Sequence, residues 1–538
     1  MSGGRSPAPT STSTSSPPSS AAEASSPAAR AAQLLQLGAA AQQRSDQQGA
    51  LDCYLRAIEA RPDDWVGHTC AGTALKALDR LGEAIASHRR AVELGGDHRA
   101  LSNLALAYRA AGRLDEAIAT LQSAVARAPE VADLHGNLSG LLLAADRPAE
   151  AEAAARAAVA LAPADARFET NVGYARKEQG DLAGGAEHLR RAIAHDPANA
   201  DAHWNLGLTL LTAPASGDEE RQGWAELEWR HQIAGLRVAL TAESAAIPRW
   251  NGQALAGRRL LLQAEQGLGD TLQLARYARA AKQLGGAGEV ILECQPALSA
   301  LLTRCAGVDR IVARGASLPA VDVRAGLFSV PPWLGGRAAT GANGEGGAPY
   351  LHADPARIRQ WRARLDELTG GARFRVGIAW QGNRRYRADG RRSIPLASFQ
   401  PLVRAARAAG AAVVSLQHGD GREQLGTLSA DPRVIDLGPS LDAEGAFLDT
   451  AAVIAGLDLI VTSDTAIPHL AGALGAPVWL ALAHLPDWRW GTAGESTDWY
   501  PTMRLFRQAE PGDWSAVFAR IGAALAERLT AGQRGVAP

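Results

Sequence analysis

Four stretches of the chain share one pattern at a constant step of 34 residues: SNLALAY (102–108), GNLSGLL (136–142), TNVGYAR (170–176) and WNLGLTL (204–210). Prolines near the ends of the same units keep this step, at Pro129, Pro163 and Pro197. Small residues recur at matched places and let paired helices pack closely, and a proline ends the second helix of a pair. The pattern predicts an α-helical solenoid of about six repeats over residues 31–235.

An asparagine occupies the second position of every one of these stretches: Asn103, Asn137, Asn171 and Asn205. All four are predicted on one face of the first helix of their repeat. An asparagine side chain can hydrogen-bond the main chain of an extended peptide whatever its sequence, and helical solenoids present a concave groove to such partners. We expect these residues to line a groove for a peptide or protein. The alternative is that they hydrogen-bond the neighbouring repeat.

The composition excludes several classes of protein. Lys and Arg number 55 and Asp and Glu number 56, so the net charge of -1 gives no preference for nucleic acid or an anionic membrane. The four cysteines are too scattered for a disulfide framework or a zinc site, which favours a reducing compartment. No apolar run approaches the ~20 residues that span a bilayer. We expect a cytoplasmic protein with no transmembrane segment and a disordered Ser- and Pro-rich tail over residues 1–30.

The repeat pattern breaks down after Leu211 and gives way to a Trp-rich helix, GWAELEWRHQI (223–233). We expect Trp224 and Trp229 to cap the solenoid and pack it on the next domain rather than to bind a ligand. A linker is predicted over residues 236–257.

From residue 258 apolar strands alternate with helices, which indicates parallel α/β sheets. Strands are predicted at 258–264, 289–293, 309–312, 375–380, 412–417, 434–437, 457–462 and 477–482. One helix is predicted at 270–285, and another at 354–368 connects the two series. The chain is therefore predicted to end in two Rossmann-like domains, 258–352 and 353–538, with a ligand-binding cleft between their strand ends.

The stretch EQGLGDT (265–271) directly follows the first predicted strand. Gly267 and Gly269 let the backbone turn tightly and approach a ligand. Asp270 is expected at the start of the next helix, where free amide groups carry a partial positive charge. The alternative is structural: Asp270 caps the helix, and the glycines form an ordinary strand-to-helix turn.

A second helix start, SDTAIPH (463–469), follows a strongly apolar strand. Asp464 or Thr465 suits the position just before the helix. The amides around Thr465 and Ala466 are placed to hold a diphosphate, and His469, one turn further, can add a hydrogen-bond donor. The alternative is that His469 is an ordinary core residue.

A third candidate is a basic loop after the strand at 375–380, with five arginines in nine residues. An arginine fork suits phosphate oxygens, and a nucleotide diphosphate needs such counter-charge because no metal-binding motif lies nearby. The alternative is a solvated surface loop. The predicted diphosphate-binding residues here are Asn383, Arg384, Arg392 and Ser393, and the other arginines are Arg385, Arg387 and Arg391.

Together the three motifs resemble bacterial glycosyltransferases of the GT-B fold, specifically the heptosyltransferase-like family (glycosyltransferase family 9), over residues 258–538. That family has a Gly-Asp turn after its first strand and a helix start of the form Asp-(Ser/Thr)-Gly-x-x-His. Here the helix start reads Asp464 to His469, with Ala466 in place of the glycine. The 34-residue units resemble tetratricopeptide (TPR) repeats, and a TPR array fused to such a module is similar to the architecture of protein O-GlcNAc transferase and of bacterial TPR-containing glycosyltransferase-like proteins.

The resemblance implies a metal-independent inverting glycosyltransferase with no cofactor, which moves a sugar from a nucleotide-diphosphate donor to a protein or peptide in the TPR groove. Asp270 matches the family's catalytic base, and Arg392 matches the residue that holds the donor diphosphate. The matching phosphate cradle is Thr465, Ala466 and His469, with Asp464 holding the loop or contacting a donor hydroxyl. Two alternatives remain: a non-catalytic TPR adaptor with a degenerate GT-B module, and a transferase for lipopolysaccharide or another glycan. A C-terminal aromatic cluster is interpreted as packing rather than as a shelf for the sugar: Trp488, Trp490, Trp499 and Tyr500.

Overall fold

The computed structural model describes residues 26–236, 240–337, 347–386, 388–427 and 434–534. The chain divides into two compact units whose boundary falls between Ala164 and Asp165. The predicted solenoid ended at residue 235, so this boundary groups its last two repeats with the α/β part of the chain.

The first unit consists, over its described residues, of antiparallel helix pairs: α1 (Pro27–Gln43) with α2 (Gln47–Ala60), α3 (Trp65–Ala77) with α4 (Leu81–Glu93), α5 (His98–Ala110) with α6 (Leu114–Arg127), and α7 (Ala132–Ala144) with α8 (Pro148–Leu161). Small residues occupy the places where paired helices cross. A Cβ atom on Gly38 would lie 2.4 Å from the ring of Tyr54, and one on Gly72 would lie 2.7 Å from the ring of His88. This close approach explains why small residues recur there.

Helix α1 begins earlier than the sequence predicted, so residues 27–30 are helical rather than part of a tail. The Ser26 side chain accepts a hydrogen bond from the Ala29 N–H at 3.1 Å. Pro27 occupies the first turn, where its missing N–H costs nothing. A Ser-Pro pair before alanines is therefore a helix start. The rest of the predicted tail, residues 1–25, lies outside the described residues.

The second unit begins with two more helix pairs, α9 (Ala166–Glu178) with α10 (Leu182–His195) and α11 (Ala200–Thr212) with α12 (Gly217–Glu226). The described part of the solenoid thus has the predicted six pairs. Trp224 is buried in the same apolar core as the α/β strands and meets Trp488 edge to face, with ring centroids 5.3 Å apart. Trp229 stacks on His203 of α11, with centroids 4.0 Å apart. The contacts of Trp224 confirm that it packs the solenoid on the next domain.

A parallel sheet of four strands, ordered β3-β2-β1-β4, follows the solenoid: β1 (Arg259–Gln263), β2 (Glu289–Cys294), β3 (Arg310–Ala313) and β4 (Val323–Gly326). Its helices are α13 (Ala242–Ala246), α14 (Leu268–Leu274), α15 (Tyr277–Gln283) and α16 (Ser299–Leu302). The single helix predicted at 270–285 is therefore two helices. At the break, the Arg276 side chain donates a hydrogen bond to the Gln273 carbonyl at 2.9 Å.

A second parallel sheet, ordered β10-β9-β8-β5-β6-β7, contains β5 (Arg375–Ala379), β6 (Ala412–Ser415), β7 (Ile435–Asp436), β8 (Leu459–Ser463), β9 (Val478–Leu482) and β10 (Met503–Arg507). Its helices are α17 (Pro355–Leu368), α18 (Asp389–Arg392), α19 (Gln400–Ala408), α20 (Leu448–Ile454), α21 (Ala466–Ala473) and α22 (Trp514–Arg534). The two parallel sheets agree with the predicted α/β class.

The strand order reverses at β1 in the first sheet and between β5 and β8 in the second. Ligands of open α/β sheets bind beyond the carboxyl ends of the strands at such points, because the connections leave there in opposite directions and open a crevice. The three predicted motifs follow β1, β5 and β8, so all three lie at these points.

Candidate functional site

The turn after β1 and the helix start after β8 meet at Gly269. A Cβ atom on Gly269 would lie 3.2 Å from Cδ2 of His469 and 3.4 Å from Cα of Ala466. A side chain at this position would therefore be tight, and its neighbours would have to shift by a few tenths of an ångström. The first and second motifs therefore form one site, with Gly269 at their contact.

Asp270 is the third residue of α14 rather than the residue before it. One carboxylate oxygen accepts a hydrogen bond from the Gly267 N–H at 2.8 Å, which satisfies a free amide at the helix start. The other oxygen accepts from the Arg489 guanidinium. Burial raises the pKa of Asp270, and the Arg489 charge opposes that rise. Asp270 thus caps the start of α14 and also belongs to a charged cluster with Arg489.

Arg489 is the centre of this cluster, and the sequence analysis missed it. Its Nη1 donates to Asp487 at 2.8 Å, and its guanidinium lies 4.5 Å from the ring centroid of Trp488. Burial disfavours its charge, but Asp487 and Asp270 outweigh burial and raise its pKa. Arg489 is therefore a permanent cation. It lies between Trp488 and Trp490 in the stretch DWRW, which the sequence analysis interpreted only as an aromatic packing cluster.

Asp464 follows β8 and is half-buried at the same site. Burial and the neighbouring Asp487 raise its pKa to about 7, while Trp490, Arg392 and Arg489 act in the opposite direction. A carboxyl group that titrates near neutral pH inside a crevice is typical of functional sites.

Thr465 caps α21, as one of the two predicted options. Its hydroxyl oxygen accepts from the Ile467 N–H at 3.4 Å. His469 is buried, stacks on Trp490 with centroids 5.3 Å apart, and has Nδ1 3.0 Å from the Tyr500 hydroxyl. Burial and nearby arginine charges lower its pKa well below the usual range, so its ring is neutral. His469 is thus both a core residue and part of the site.

The loop after β5 brings Arg392 to the cluster. Its guanidinium lies 4.3 Å from the ring centroid of Tyr386, and its Nε donates to Asp389 at 3.3 Å. Its charge acts on the pKa values of Asp270 and Asp464. Ser393 orders the loop, because its hydroxyl donates to Asp389 at 2.9 Å.

Asn383 and Arg384, also predicted to bind phosphate, are exposed and point to other partners. The Arg384 side chain pairs with Glu423 at the surface, and the Asn383 side chain accepts from the Arg385 N–H at 2.9 Å. The structure therefore does not bring these two side chains into the cluster. Arg387 lies outside the described residues.

The basic loop is tied to the fifth repeat. Arg391 forms an ion pair with Glu178, the last residue of α9, and Lys177 donates to Glu178 at 2.9 Å. Asn171 lies seven residues before Glu178 on the same helix, so both occupy one face about two turns apart. The repeat that carries one predicted groove residue thus contacts the segment next to Arg392.

Arg230 joins the end of the solenoid to the turn after β1. It is fully buried and forms two hydrogen bonds with Glu265, at 2.9 and 3.1 Å. It also donates to Ser329 at 2.7 Å and to Glu228 at 2.7 Å. Glu265, the first residue of the EQGLGDT motif, is therefore a structural partner of Arg230.

The predicted groove asparagines differ in exposure. Asn137 is exposed, whereas Asn103, Asn171 and Asn205 are half-buried. The Asn205 side chain donates to the Asp201 carbonyl of its own helix at 2.9 Å. Peptide binding at these positions stays a prediction.

Among the described residues, no helix has both the length and the apolar character needed to cross a membrane. Over the same part of the chain, no group of three or more His, Cys, Asp or Glu side chains is arranged to hold a metal ion.

Three family models for tetratricopeptide repeats match residues 71–130, 108–170 and 173–212. The chain therefore contains TPR repeats, which are protein-interaction repeats. Protein FlbA of Caulobacter vibrioides (strain ATCC 19089 / CIP 103742 / CB 15) is 27% identical over 455 residues, which cover 80% of this chain and 73% of that protein. This alignment is longer than the six repeats, so it extends into the α/β part.

Two solved structures of TPR proteins are also similar to part of this chain. YrrB, described as a TPR protein with an unusual peptide-binding site, is 22% identical, with 34% of this chain and 92% of that chain covered and a TM-score of 0.28. TTC0263, a thermophilic TPR protein of Thermus thermophilus, is 19% identical, with 34% and 99% covered and a TM-score of 0.29.

Proposed function

We propose that this protein is a metal-independent inverting glycosyltransferase of the GT-B type, which moves a sugar from a nucleotide-diphosphate donor to a protein or peptide. One observation carries the proposal: the turn after β1 meets the start of α21 at Gly269. That contact joins Asp270, Asp464, Arg489 and Arg392 in one charged cluster at the strand ends.

The cluster supplies both groups that such a transfer needs. Ionised Asp270 takes the proton of an acceptor hydroxyl while the hydroxyl oxygen forms a bond to the anomeric carbon. The bond from that carbon to the donor diphosphate breaks on the opposite face, and its electron pair leaves on the diphosphate. Arg392, His469 and the first amides of α21 are the groups that would stabilise this negative charge.

The Arg489 contact supports Asp270 as the base. The positive charge of Arg489 opposes the effect of burial on the Asp270 pKa and so favours the ionised form of Asp270. A carboxylate offers about four acceptor positions, and the described contacts of Asp270 with Gly267 and Arg489 use two of them. A hydroxyl group can therefore bind without breaking the ion pair.

The ion pair between Arg391 and Glu178 supports a protein or peptide acceptor. TPR grooves bind extended segments, and Glu178 shares a face of α9 with Asn171. A peptide held along this helix would end beside the loop that carries Arg392.

Thermal unfolding of the full chain with UDP, GDP, ADP, CDP and dTDP, each in EDTA, tests the donor site. A ligand at ~100 times its Kd adds about 2.7 kcal/mol to the native state, enough to raise the Tm by several degrees. We expect one diphosphate to raise the Tm, and Arg392→Ala to reduce that shift. Arg384→Ala is the matched control, because Arg384 pairs with Glu423 instead.

A second candidate function is a TPR adaptor with an inactive α/β part. The Ala466 side chain favours this candidate. Its Cβ atom lies where the heptosyltransferase-like family has a glycine, and it narrows the space for a phosphate. This candidate predicts no Tm shift with any of the five diphosphates.

A further inference from the structure

The imidazole of His469 is held on one edge by a single phenol. Nδ1 lies 3.0 Å from the Tyr500 hydroxyl, and the ring stacks on Trp490 at an interplanar angle of 17°. The side chain is 5% exposed and cannot turn freely between these rings. Its orientation is therefore fixed.

The opposite edge of the ring faces the contact between the two turns. Cδ2, which is bonded to Nε2, lies 3.2 Å from the position of a Cβ atom on Gly269. Among the described residues, none forms a hydrogen bond with Nε2. Nε2 is therefore the polar atom that His469 offers near Asp270 and the start of α21.

A buried cation next to Tyr500 favours the phenol as the donor in its hydrogen bond with His469. The Arg276 guanidinium lies 4.6 Å from the ring centroid of Tyr500 and donates to the Trp499 carbonyl at 2.7 Å. Within the described part of the chain, no carboxylate forms an ion pair with Arg276. A neighbouring positive charge makes a phenol a stronger donor and a weaker acceptor.

Tyr350 does not compete with Tyr500 as a donor to His469. Its hydroxyl donates to the Leu272 carbonyl at 2.9 Å and receives a hydrogen bond from Arg276 at 3.2 Å. The Tyr500 hydroxyl also forms a hydrogen bond with the Tyr350 hydroxyl. Because the Tyr350 oxygen already accepts from Arg276, Nδ1 of His469 is the acceptor left for the Tyr500 proton.

We infer that Tyr500 is a positioning residue that donates to Nδ1 and holds His469 in the tautomer with its proton on Nε2. Nε2 then presents a fixed hydrogen-bond donor to an anion at the start of α21. The identification of that anion as the donor diphosphate rests on the proposed function, whereas the tautomer does not.

The neutral state of His469 makes this positioning necessary. A protonated imidazole donates from both nitrogens, but a neutral one carries a single proton. Burial and the charges of Arg489, Arg276 and Arg392 lower the His469 pKa well below its usual range. Without a donor at Nδ1, the proton would distribute between the two nitrogens.

The tautomer can be measured by long-range 1H–15N NMR on the full chain with 15N-labelled histidine at pH 7.5. His469→Gln identifies the His469 signals among the 12 histidines. We expect the Nε2–H tautomer in the wild type and a mixture in Tyr500→Phe. A wild-type signal from the Nδ1–H tautomer, or a tautomer unchanged in Tyr500→Phe, overturns the inference.

Titration with the five nucleoside diphosphates separates this inference from the proposed function. For whichever diphosphate binds the wild type, we expect Tyr500→Phe to lower the binding affinity by about tenfold. In a protein that already carries His469→Gln, we expect Tyr500→Phe to have no further effect on this affinity. Tyr277→Phe is the matched control, because this buried tyrosine donates to the Gly336 carbonyl at 2.9 Å instead. If no diphosphate binds the wild type, the proposed function fails, and the NMR result still decides the role of Tyr500.

Discussion

The carboxylate of Asp270 accepts a hydrogen bond from Arg489, although the two residues stand 219 positions apart in the chain. Asp270 belongs to the turn after β1, an inner strand of the first sheet, and Arg489 follows β9 of the second sheet. The ion pair therefore links the turn after β1 to the segment after β9. It also keeps a largely buried carboxylate next to a permanent cation, which favours the ionised form that the proposed base requires.

Replacing Asp270 by Asn should slow sugar transfer strongly and leave nucleoside diphosphate binding nearly unchanged. The amide oxygen can still accept from the Gly267 N–H, so the helix start should survive, but an amide cannot take up the acceptor's proton. Removing a general base costs about 100- to 10,000-fold in rate. Product formation and diphosphate titration on the same preparation check both expectations. Transfer by Asp270→Asn at the wild-type rate would show that another group is the base.

Replacing Arg392 by Ala should weaken diphosphate binding by about tenfold or more, because a hydrogen bond to a charged group is worth ~1.5–3 kcal/mol. Calorimetric titration without metal measures this change. Arg384→Ala should bind like the wild type, since its partner is the exposed Glu423. Equal losses in the two variants would indicate a general effect of the basic loop rather than a specific contact of Arg392.

Asp464→Asn should flatten the dependence of stability on pH. The Asp464 pKa is about 7 in the folded chain and ~3.9 in the unfolded chain, so between these values the folded state holds a proton that the unfolded state has lost. The free energy of unfolding therefore falls as the pH rises through this window, by at most ~1.4 kcal/mol per pH unit for one proton. Above about pH 7 the contribution of Asp464 to the free energy of unfolding is constant.

Urea unfolding midpoints at pH 5, 6, 7 and 8 measure this dependence for Asp464. The variant should lose stability more slowly than the wild type as the pH rises. Glu510→Gln, a change of an exposed carboxylate, should keep the wild-type dependence. Parallel curves for wild type and Asp464→Asn would contradict the raised pKa.

The sequence predicted the elements whose signal is local and repeated. The 34-residue step predicted six helix pairs, and continuous apolar runs predicted the inner strands of both sheets. It also predicted the edge strands β3 and β7, but it missed the other two edge strands, β4 and β10. An edge strand has a neighbour on one side only and tolerates charged residues such as the exposed Arg504 of β10, so its apolar signal is weak.

The candidate site was predictable only where one short stretch supplies several of its residues. The turn at Gly267 to Asp270 and the helix start at Thr465 to His469 were visible as motifs. Arg489 and Tyr500 reach the site through packing of distant segments, and no local spacing relates them to Asp270 or His469. Arg384 illustrates the opposite error. The basic run predicted it at the site, but in the structure it pairs with the distant Glu423 at the surface.

Replacing Arg230 by Ala should destabilise the second compact unit by about 3–5 kcal/mol, the cost of leaving one partner of a buried ion pair unpaired. Arg230 has 0% side-chain exposure and Glu265 has 2%, so water cannot replace the lost contacts. Arg249→Ala removes a half-exposed ion pair with Glu228 and should cost at most ~1 kcal/mol. Guanidinium unfolding of the two variants measures the difference. Because Glu265 begins the turn that carries Asp270, Arg230→Ala should also bind the diphosphate more weakly. Similar losses of stability in Arg230→Ala and Arg249→Ala would contradict a structural role for the buried pair of Arg230 and Glu265.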